Sequence, residues 1–459
     1  MDKATRKARR QALRGAVQGG ALLLFGNEEA PKNYLGNPYP FRQDSSFLYF
    51  VGVDQPGLAA LLLPDGEEWL FGAPEHPDDL IWHGPHPDLA DHAEAAGIAK
   101  HAAMAELGPR LGALLGKGVE IHYLPPYRAD RAVRLSELLS RPIGEIASGA
   151  SRAMVRAVVE LRSRKTEAEV REIEEALGIS KAMYEAAYPM IRPGRYEREI
   201  SGAMQGAALA MDRAQSFNPI VSVRGEVLHN VSYSNRLEAG QILLVDSGTE
   251  SRHHYASDIT RAYPVSGTFT PEQRDIYEVV LGGQRVAIEN AGPTMTNRDL
   301  HLMTALRMAE GLKTLGLMKG DPGEAVEAGA HALFFVHGLG HMLGLDVHDM
   351  EDLGDAVGYP EGEARSSQFG LAFLRLSRRL EPGFVITVEP GIYFVPALIE
   401  RWRSEGRHKD FICYDRLGAF LSFGGVRIED DLLITSGGAR VLGPPIPKTV
   451  AEVEGALAR

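Results

Sequence analysis

Twice in the second half of the chain an apolar, strand-like run ends in a carboxylate: Ile242-Leu243-Leu244-Val245-Asp246 and Val385-Ile386-Thr387-Val388-Glu389. A third acid, Asp258, stands inside Tyr255-Ala256-Ser257-Asp258-Ile259-Thr260-Arg261, where strand propensity and desolvation both disfavour it. Any fold that buries these runs must give the carboxylates cations or protons. Alternation puts Asp258 and Thr260 on one strand face, so the Thr260 hydroxyl is expected to orient Asp258. In Gly424-Gly425-Val426-Arg427-Ile428-Glu429-Asp430-Asp431 the same alternation sets Arg427 and Glu429 against Val426 and Ile428. The run His337-Gly338-Leu339-Gly340-His341-Met342-Leu343-Gly344-Leu345-Asp346-Val347-His348-Asp349 adds three imidazoles among glycines that let backbone approach a ligand closely.

Each segment has a bland reading. A strand-end Asp is often a turn former, a lone histidine is usually a satisfied core residue, and Arg427 with Glu429 can be an outward ion pair. Together, however, they supply two Asp, one His and two Glu on strand ends, a set that fits two divalent cations. Four carboxylates match the charge of two such ions, and oxygen-rich coordination with one imidazole favours Mn²⁺ or Co²⁺ over a structural zinc site. Two ions that share a water depress its pKa and polarise a carbonyl, so hydrolysis of an acyl bond is the natural reaction class.

The rest of the sequence sets the frame. With 459 residues the chain has room for two or three domains. Lys and Arg number 49 against 61 Asp and Glu, a net charge of -12 that argues against a non-specific nucleic-acid binder. The single cysteine, Cys413, can close no intrachain disulfide and build no thiolate cluster, which suits a cytoplasmic location. Basic residues from Lys3 to Arg14 precede an apolar stretch from Ala16 to Phe25. Gln18, Gly19 and Gly20 interrupt that stretch, so it reads as an amphipathic helix and a buried strand instead of a leader. No apolar run approaches the roughly 18 residues needed to span a bilayer.

Residues 1 to about 150 alternate strand candidates (Ser46 to Val51, Leu58 to Leu63, Glu68 to Phe71, Val119 to Tyr123) with helix candidates (Ala103 to Leu115, Arg128 to Leu139), the pattern of an α/β domain. We place the domain boundary near 150, giving domains 1–150 and 151–459. Thr166 and Glu169 have capping-box spacing and open a helix expected to run to about Met190; Thr270-Pro271-Glu272-Gln273 opens another. Further helices are expected over Tyr196 to Met211, Asn297 to Leu317 and Gly323 to Leu333, and strands over Ile242 to Asp246, Tyr255 to Val265, Val385 to Glu389 and Val426 to Thr435.

These segments resemble the dinuclear metallopeptidases that include Xaa-Pro aminopeptidase (aminopeptidase P), prolidase and methionine aminopeptidase. The run His337 to Asp349, Val388-Glu389-Pro390-Gly391-Ile392-Tyr393 and Arg427-Ile428-Glu429-Asp430 agree with the proline-peptidase pattern. Tyr39-Pro40-Phe41-Arg42-Gln43-Asp44-Ser45-Ser46-Phe47-Leu48-Tyr49-Phe50 and Ile81-Trp82-His83-Gly84 look like the amino-terminal domain of aminopeptidase P. The resemblance implies a pita-bread α/β catalytic domain preceded by a smaller α/β domain. It implies Asp246, Asp258, His341, Glu389 and Glu429 as ligands of two divalent ions, with Mn favoured and Co or Zn admitted. Asp258 and Glu429 would bridge both ions, and Glu389 would also shuttle a proton from water to the leaving nitrogen. His229 and His348 would surround the substrate carbonyl, His337 would line the proline subsite, and Arg427 would orient the acidic ligands.

Asp246 and Asp258 are twelve apart, one more than in the best-known members. Inside the strand the extra residue would turn Asp258 away from the metals, so it is expected in the turn around Ser251 to His254. The segments from His348 to Glu389 and from Glu389 to Glu429 are also long, and Glu351, Asp352, Asp355 and the stretch around Trp402 are expected to narrow access to the site. The leading reading is an Xaa-Pro aminopeptidase acting on proline-containing peptides as a homodimer or homotetramer, with Trp82 delivered from a neighbouring subunit. Prolidase, cleaving Xaa-Pro dipeptides, is the nearest alternative. A pita-bread binding protein without metals, or a metal-independent hydrolase like creatinase, would not need the full carboxylate set.

Overall fold

The computed structural model describes residues 1–73, 78–82 and 84–458. The chain forms two compact units, Met1–Arg162 with Met350–Ala356 and Ser163–Asp349 with Val357–Arg459. The division falls at the end of the helix Arg152–Ser163, beyond the position near 150 read from composition.

The first unit is built on a five-stranded mixed sheet in the order β4-β3-β2-β1-β5. Its strands are β1 (Ala21–Phe25), β2 (Ala59–Leu62), β3 (Glu68–Gly72), β4 (Lys100–Ala103) and β5 (Ile121–His122). Leu23, Leu61 and Phe71 pack into one core with Leu107 and Leu111 of the helix Leu107–Gly116 and Leu135 and Leu139 of the helix Ala129–Leu139. The basic amino-terminal stretch is the helix Lys3–Ala16. Its Arg10 is fully buried, donating to the carbonyls of Phe50 (2.9 Å) and Ala96 (3.0 Å) and to Glu68 (2.9 Å). The strand expected over Ser46 to Val51 is instead a helix, Ser45–Phe50. Aromatic content favours a strand there, but Asp44 caps the turn by accepting from the Phe47 N–H at 2.8 Å, and that local bond prevails. Ile81 and Trp82 end the short helix Asp79–Trp82, and His83 lies outside the described residues.

The second unit contains three small sheets. In the first, β6 (Ile220–Ser222), β7 (Ile242–Ser247) and β8 (Ile259–Pro264) run antiparallel. β9 (Val385–Val388), β12 (Asp430–Thr435) and β13 (Gly438–Val441) form the second, β10 (Gly391–Tyr393) and β11 (Gly425–Arg427) the third. Single bridges, Thr260 to Glu429 and Met342 to Ile386, stitch these pieces together around the acidic segments. Capping boxes open the helices Glu167–Ala187 and Pro271–Asn290, as the Thr166/Glu169 and Thr270/Gln273 spacings predict. The helices Glu197–Ala210 and Asn297–Thr314 follow, the latter three residues shorter than expected. The stretch from Gly323 to Leu333 is broken into the helix Pro322–Glu327 and a 3₁₀ turn, Ala330–Leu333, because Gly329 adopts a left-handed φ of 83°.

Asp246 opposes Thr260, Ser247 opposes Ile259, and Glu250 bridges Ala256, so the pairing runs without a bulge. The strands are joined through the turn from Ser251 to Tyr255, where His254 holds a left-handed φ of 65°. Gly248 is needed below it, since a Cβ there would stand 1.8 Å from the Ser257 carbonyl oxygen. Contrary to the longer strand read from the sequence, β8 starts only at Ile259, and Asp258 precedes it.

Candidate metal centre

Asp246 comes from β7, Asp258 from the approach to β8, Glu389 from the end of β9, and Glu429 from the link between β11 and β12. His341 hangs from an irregular segment clamped to β9: its N–H donates to Thr387 Oγ1 (3.1 Å) and its carbonyl accepts from the Thr387 N–H (2.9 Å). The hydroxyl of Tyr184 lies within 3.1 Å of the Val245 carbonyl and 2.6 Å of the Ile259 carbonyl, tying the two Asp-bearing backbones to a helix.

The five groups converge. His341 Nδ1 faces the Met342 carbonyl at 3.0 Å, which makes it the protonated nitrogen and leaves the Nε2 lone pair pointing into the cluster. That Nε2 lies 3.5 Å from Asp258 Oδ2 and 3.5 Å from Glu389 Oε1. Among the described residues Asp258, His341 and Glu429 offer ligand atoms within 4.8 Å of one another. Asp246 Oδ1, Asp258 Oδ1 and Glu429 Oε1 are buried and have no hydrogen-bond partner. Buried carboxylate oxygens are not left unpaired without cause, and divalent cations are the partners this donor set suits.

The electrostatics agree. Burial, then the Glu429 and Asp246 charges, hold Asp258 far above the ordinary carboxylate range, and burial with the Glu389 and Asp246 charges does the same to Glu429. Burial pushes Glu389 up to about 7, although Arg427 pulls the other way. Arg427 donates to Asp246, to Tyr393 Oη (2.8 Å) and to Thr260 Oγ1 (3.0 Å). Arg427 and Glu429 are thus buried and not an exposed ion pair.

The metal-ligand candidates Asp246, Asp258, His341, Glu389 and Glu429 line one cavity of about 740 Å³ together with His229, His337, His348 and Arg427. Its imidazoles are neutral near pH 7: burial lowers His337 to about 3 and His348 to about 4, and lowers His229 and His341 as well. His337 Nδ1 meets the Gly338 carbonyl at 2.8 Å, so its Nε2 accepts from Tyr393 Oη at 2.8 Å. The rings of His341 and His348 lie 4.2 Å apart at an angle of 63°.

One expectation fails: the Thr260 hydroxyl does not orient Asp258 but donates to Glu429 Oε2 at 2.6 Å. Asp258 stands before β8, off the regular alternation, and its N–H is held instead by Asp431 Oδ2 at 3.1 Å. Sequence reasoning also missed Arg375 and the apolar rim of Phe369, Phe373, Val395 and Leu398. The only trace of Arg375 is a lone cation in the apolar run Leu371-Ala372-Phe373-Leu374-Arg375-Leu376. Glu351, Asp352 and Asp355, expected to narrow the rim, do not line the cavity.

A mixed α/β frame that closes orphaned acids and an imidazole in a peptide-sized cavity defines a metal-dependent hydrolase with the pita-bread fold. Residues 171–436 match the model of metallopeptidase family M24, and residues 6–122 that of the aminopeptidase P N-terminal domain; the chain belongs to family M24. It is 32% identical over 448 residues to the Xaa-Pro aminopeptidase of Haemophilus influenzae, covering 95% of this chain and 92% of that one. It is 30% identical over 454 residues to the human Xaa-Pro dipeptidase, covering 96% and 90%. Among solved structures, Escherichia coli aminopeptidase P in complex with substrate superposes over 100% of this chain and 98% of that one, with a TM-score of 0.83 at 28% identity. A dinuclear metal site is typical of the family.

Proposed function

We propose that this chain is an Xaa-Pro aminopeptidase holding two divalent ions, Mn²⁺ by preference, on Asp246, Asp258, His341, Glu389 and Glu429. The observation that carries this reading is the set of orphaned oxygens on Asp246, Asp258 and Glu429 facing one cavity with three further histidines. The amino-terminal domain match supports a proline peptidase, and the match to the human Xaa-Pro dipeptidase spans that domain as well. When bound, the ions supply an acidified water and polarise the scissile carbonyl.

The chain's own residues do the rest. Glu389 takes a proton from the attacking water and returns it to the leaving prolyl nitrogen. His348 and His229, both neutral, donate to the substrate carbonyl oxygen as it gains charge. His337, fixed by Tyr393, walls the proline ring. A tertiary Xaa-Pro amide lacks an N–H and has a fixed φ, so peptidases that bind extended strands handle it poorly, whereas a closed cavity shaped to the ring accepts it. Trp82, 78% exposed, is available to a second copy of the chain, consistent with a homodimer or homotetramer that light scattering would detect.

A second reading, Xaa-Pro dipeptidase, is favoured by Arg375, whose guanidinium lies in the cavity wall and matches the carboxylate that a dipeptide alone presents next to its proline ring. The test compares Ala-Pro, Ala-Pro-Ala and acetyl-Ala-Pro-Ala with Mn²⁺ supplied. Cleavage of the free tripeptide and not the acetylated one supports the aminopeptidase. Cleavage of the dipeptide alone, lost in Arg375→Ala, transfers the assignment to the dipeptidase.

A further inference from the structure

The segment from His341 to Asp349 carries two site imidazoles outside any regular strand or helix. His341 is clamped to β9 through Thr387 on both its N–H and its carbonyl. At the other end, Asp349, the neighbour of His348, closes the loop. The Asp349 N–H donates to the Met342 carbonyl at 2.9 Å, and its carboxylate lies inside the loop, so close to Gly344 that a Cβ there would stand 2.4 Å from Oδ2. The Asp346 N–H points at Asp349 Oδ1 at 3.4 Å.

A carboxylate so enclosed needs a counter-ion, and Lys165 supplies it. Its Nζ donates to Asp349 Oδ2 at 2.8 Å, and both side chains are 1% exposed. The Lys165 backbone is itself fixed, donating to the Gly383 carbonyl at 2.7 Å. Lys165 lies outside the cavity lining, so it touches no substrate.

We infer that Lys165 is a positioning residue, which sets the place of His348 against the substrate carbonyl by pinning Asp349, while leaving the metal ligand His341 to its own clamp. A buried ion pair can usually be exchanged for an apolar pair without loss of stability, whereas removing one partner alone is destabilising. That asymmetry separates a positioning role from a merely structural one. The inference rests on His348 acting at the carbonyl.

Three variants test it: Lys165→Met, Lys165→Arg, and the double variant Lys165→Met with Asp349→Leu. In the double variant Tm returns toward wild type, but kcat stays down by roughly 10²-fold, as misplacing a catalytic group does, with KM and metal content unchanged. Lys165→Arg, which keeps the charge, recovers most of the kcat lost in Lys165→Met. The crystal structure of the double variant shows the His341 and His348 rings moved from their 4.2 Å separation. Recovery of kcat together with Tm in the double variant, loss of metal in step with activity, or equal behaviour of the Met and Arg variants would overturn the inference. If the wild-type protein leaves every Xaa-Pro peptide intact, the functional reading fails, and the ring separation still decides whether Lys165 places His348.

Discussion

Two groups of buried acids sit side by side in the second unit, and they are treated in opposite ways. Asp430 receives Arg261 Nη2 at 2.7 Å, Gln284 Nε2 at 3.0 Å and Lys448 Nζ at 2.5 Å, and although burial works against it, Arg261 and Lys448 hold its carboxyl below the ordinary range. The adjacent Glu429, with Asp246 and Asp258, keeps an oxygen that nothing in the protein contacts. Both groups pay for desolvation; Asp430 is paired with Arg261 and Lys448, whereas Arg427 reaches Asp246 and still leaves one oxygen on each of Asp246, Asp258 and Glu429 without a hydrogen bond. Asp430 is an acid of the fold, held by arginine and lysine, whereas the unsatisfied oxygens of Asp246, Asp258 and Glu429 are those we propose for a cation from solution.

The comparison breaks most visibly at Glu389. Glu389→Gln cannot shuttle a proton and weakens a ligand, so kcat should fall by roughly 10²- to 10⁴-fold with the fold intact. A variant with near wild-type kcat would remove Glu389 from the proton path. His348→Ala should lose roughly 10²-fold in kcat while metal content holds, because His348 meets the carbonyl and not the ions. Metal lost in proportion to activity would make His348 a ligand. On the other side of the comparison, Asp430→Asn leaves Arg261 buried with less compensation and should cost about 3 kcal/mol, read by denaturant unfolding, without changing metal stoichiometry. Loss of metal with little loss of stability would erase the distinction between the two groups.

A pH series sharpens the same contrast. In metal-free protein Asp258, Glu429 and Glu389 bind protons that the unfolded chain has already released above its ordinary carboxylate pKa, with Glu389 near 7. Their contribution to stability is therefore present at low pH and lost as pH rises through neutrality. His301 and His331, held down by burial to about 3 and about 4, act in reverse, since they protonate in the unfolded chain below its ordinary histidine pKa. The Tm of chelated protein should thus fall as pH rises from about 6.5 through about 7, and the increment gained on adding Mn²⁺ should grow over the same range as ligands deprotonate. A chelated protein whose Tm rises across that window would contradict the raised carboxylate values. The smallest effect is expected of Thr260→Val, which removes the donor to Glu429 at about 1 kcal/mol and a few-fold in kcat.

The chemistry of the centre was legible because its residues occur where bulk physical rules forbid them: acids at the ends of apolar runs, and imidazoles among glycines. The helix starts were equally plain, since a capping box is a purely local device. What could not be read depends on tertiary placement. The 3.6-versus-2 periodicity of Ser45 to Phe50 is ambiguous over six residues until the Asp44 cap is seen to form. Thr260 was singled out with the wrong partner because alternation assumes a strand that extends through Asp258, and β8 begins one residue later. Arg375 arrives at the cavity from a long irregular segment without periodicity, and the Lys165–Asp349 pair joins residues 184 apart.

The account turns on whether the orphaned oxygens hold ions. Elemental analysis of the purified, Mn²⁺-dialysed protein beside Asp258→Asn, with peptidase activity followed as a chelator is titrated in, tests this most directly. The account predicts a stoichiometry approaching two divalent ions per chain, a marked deficit in Asp258→Asn, and activity that disappears with the metal. Full activity in protein stripped of metal, or unchanged stoichiometry in Asp258→Asn, would contradict it.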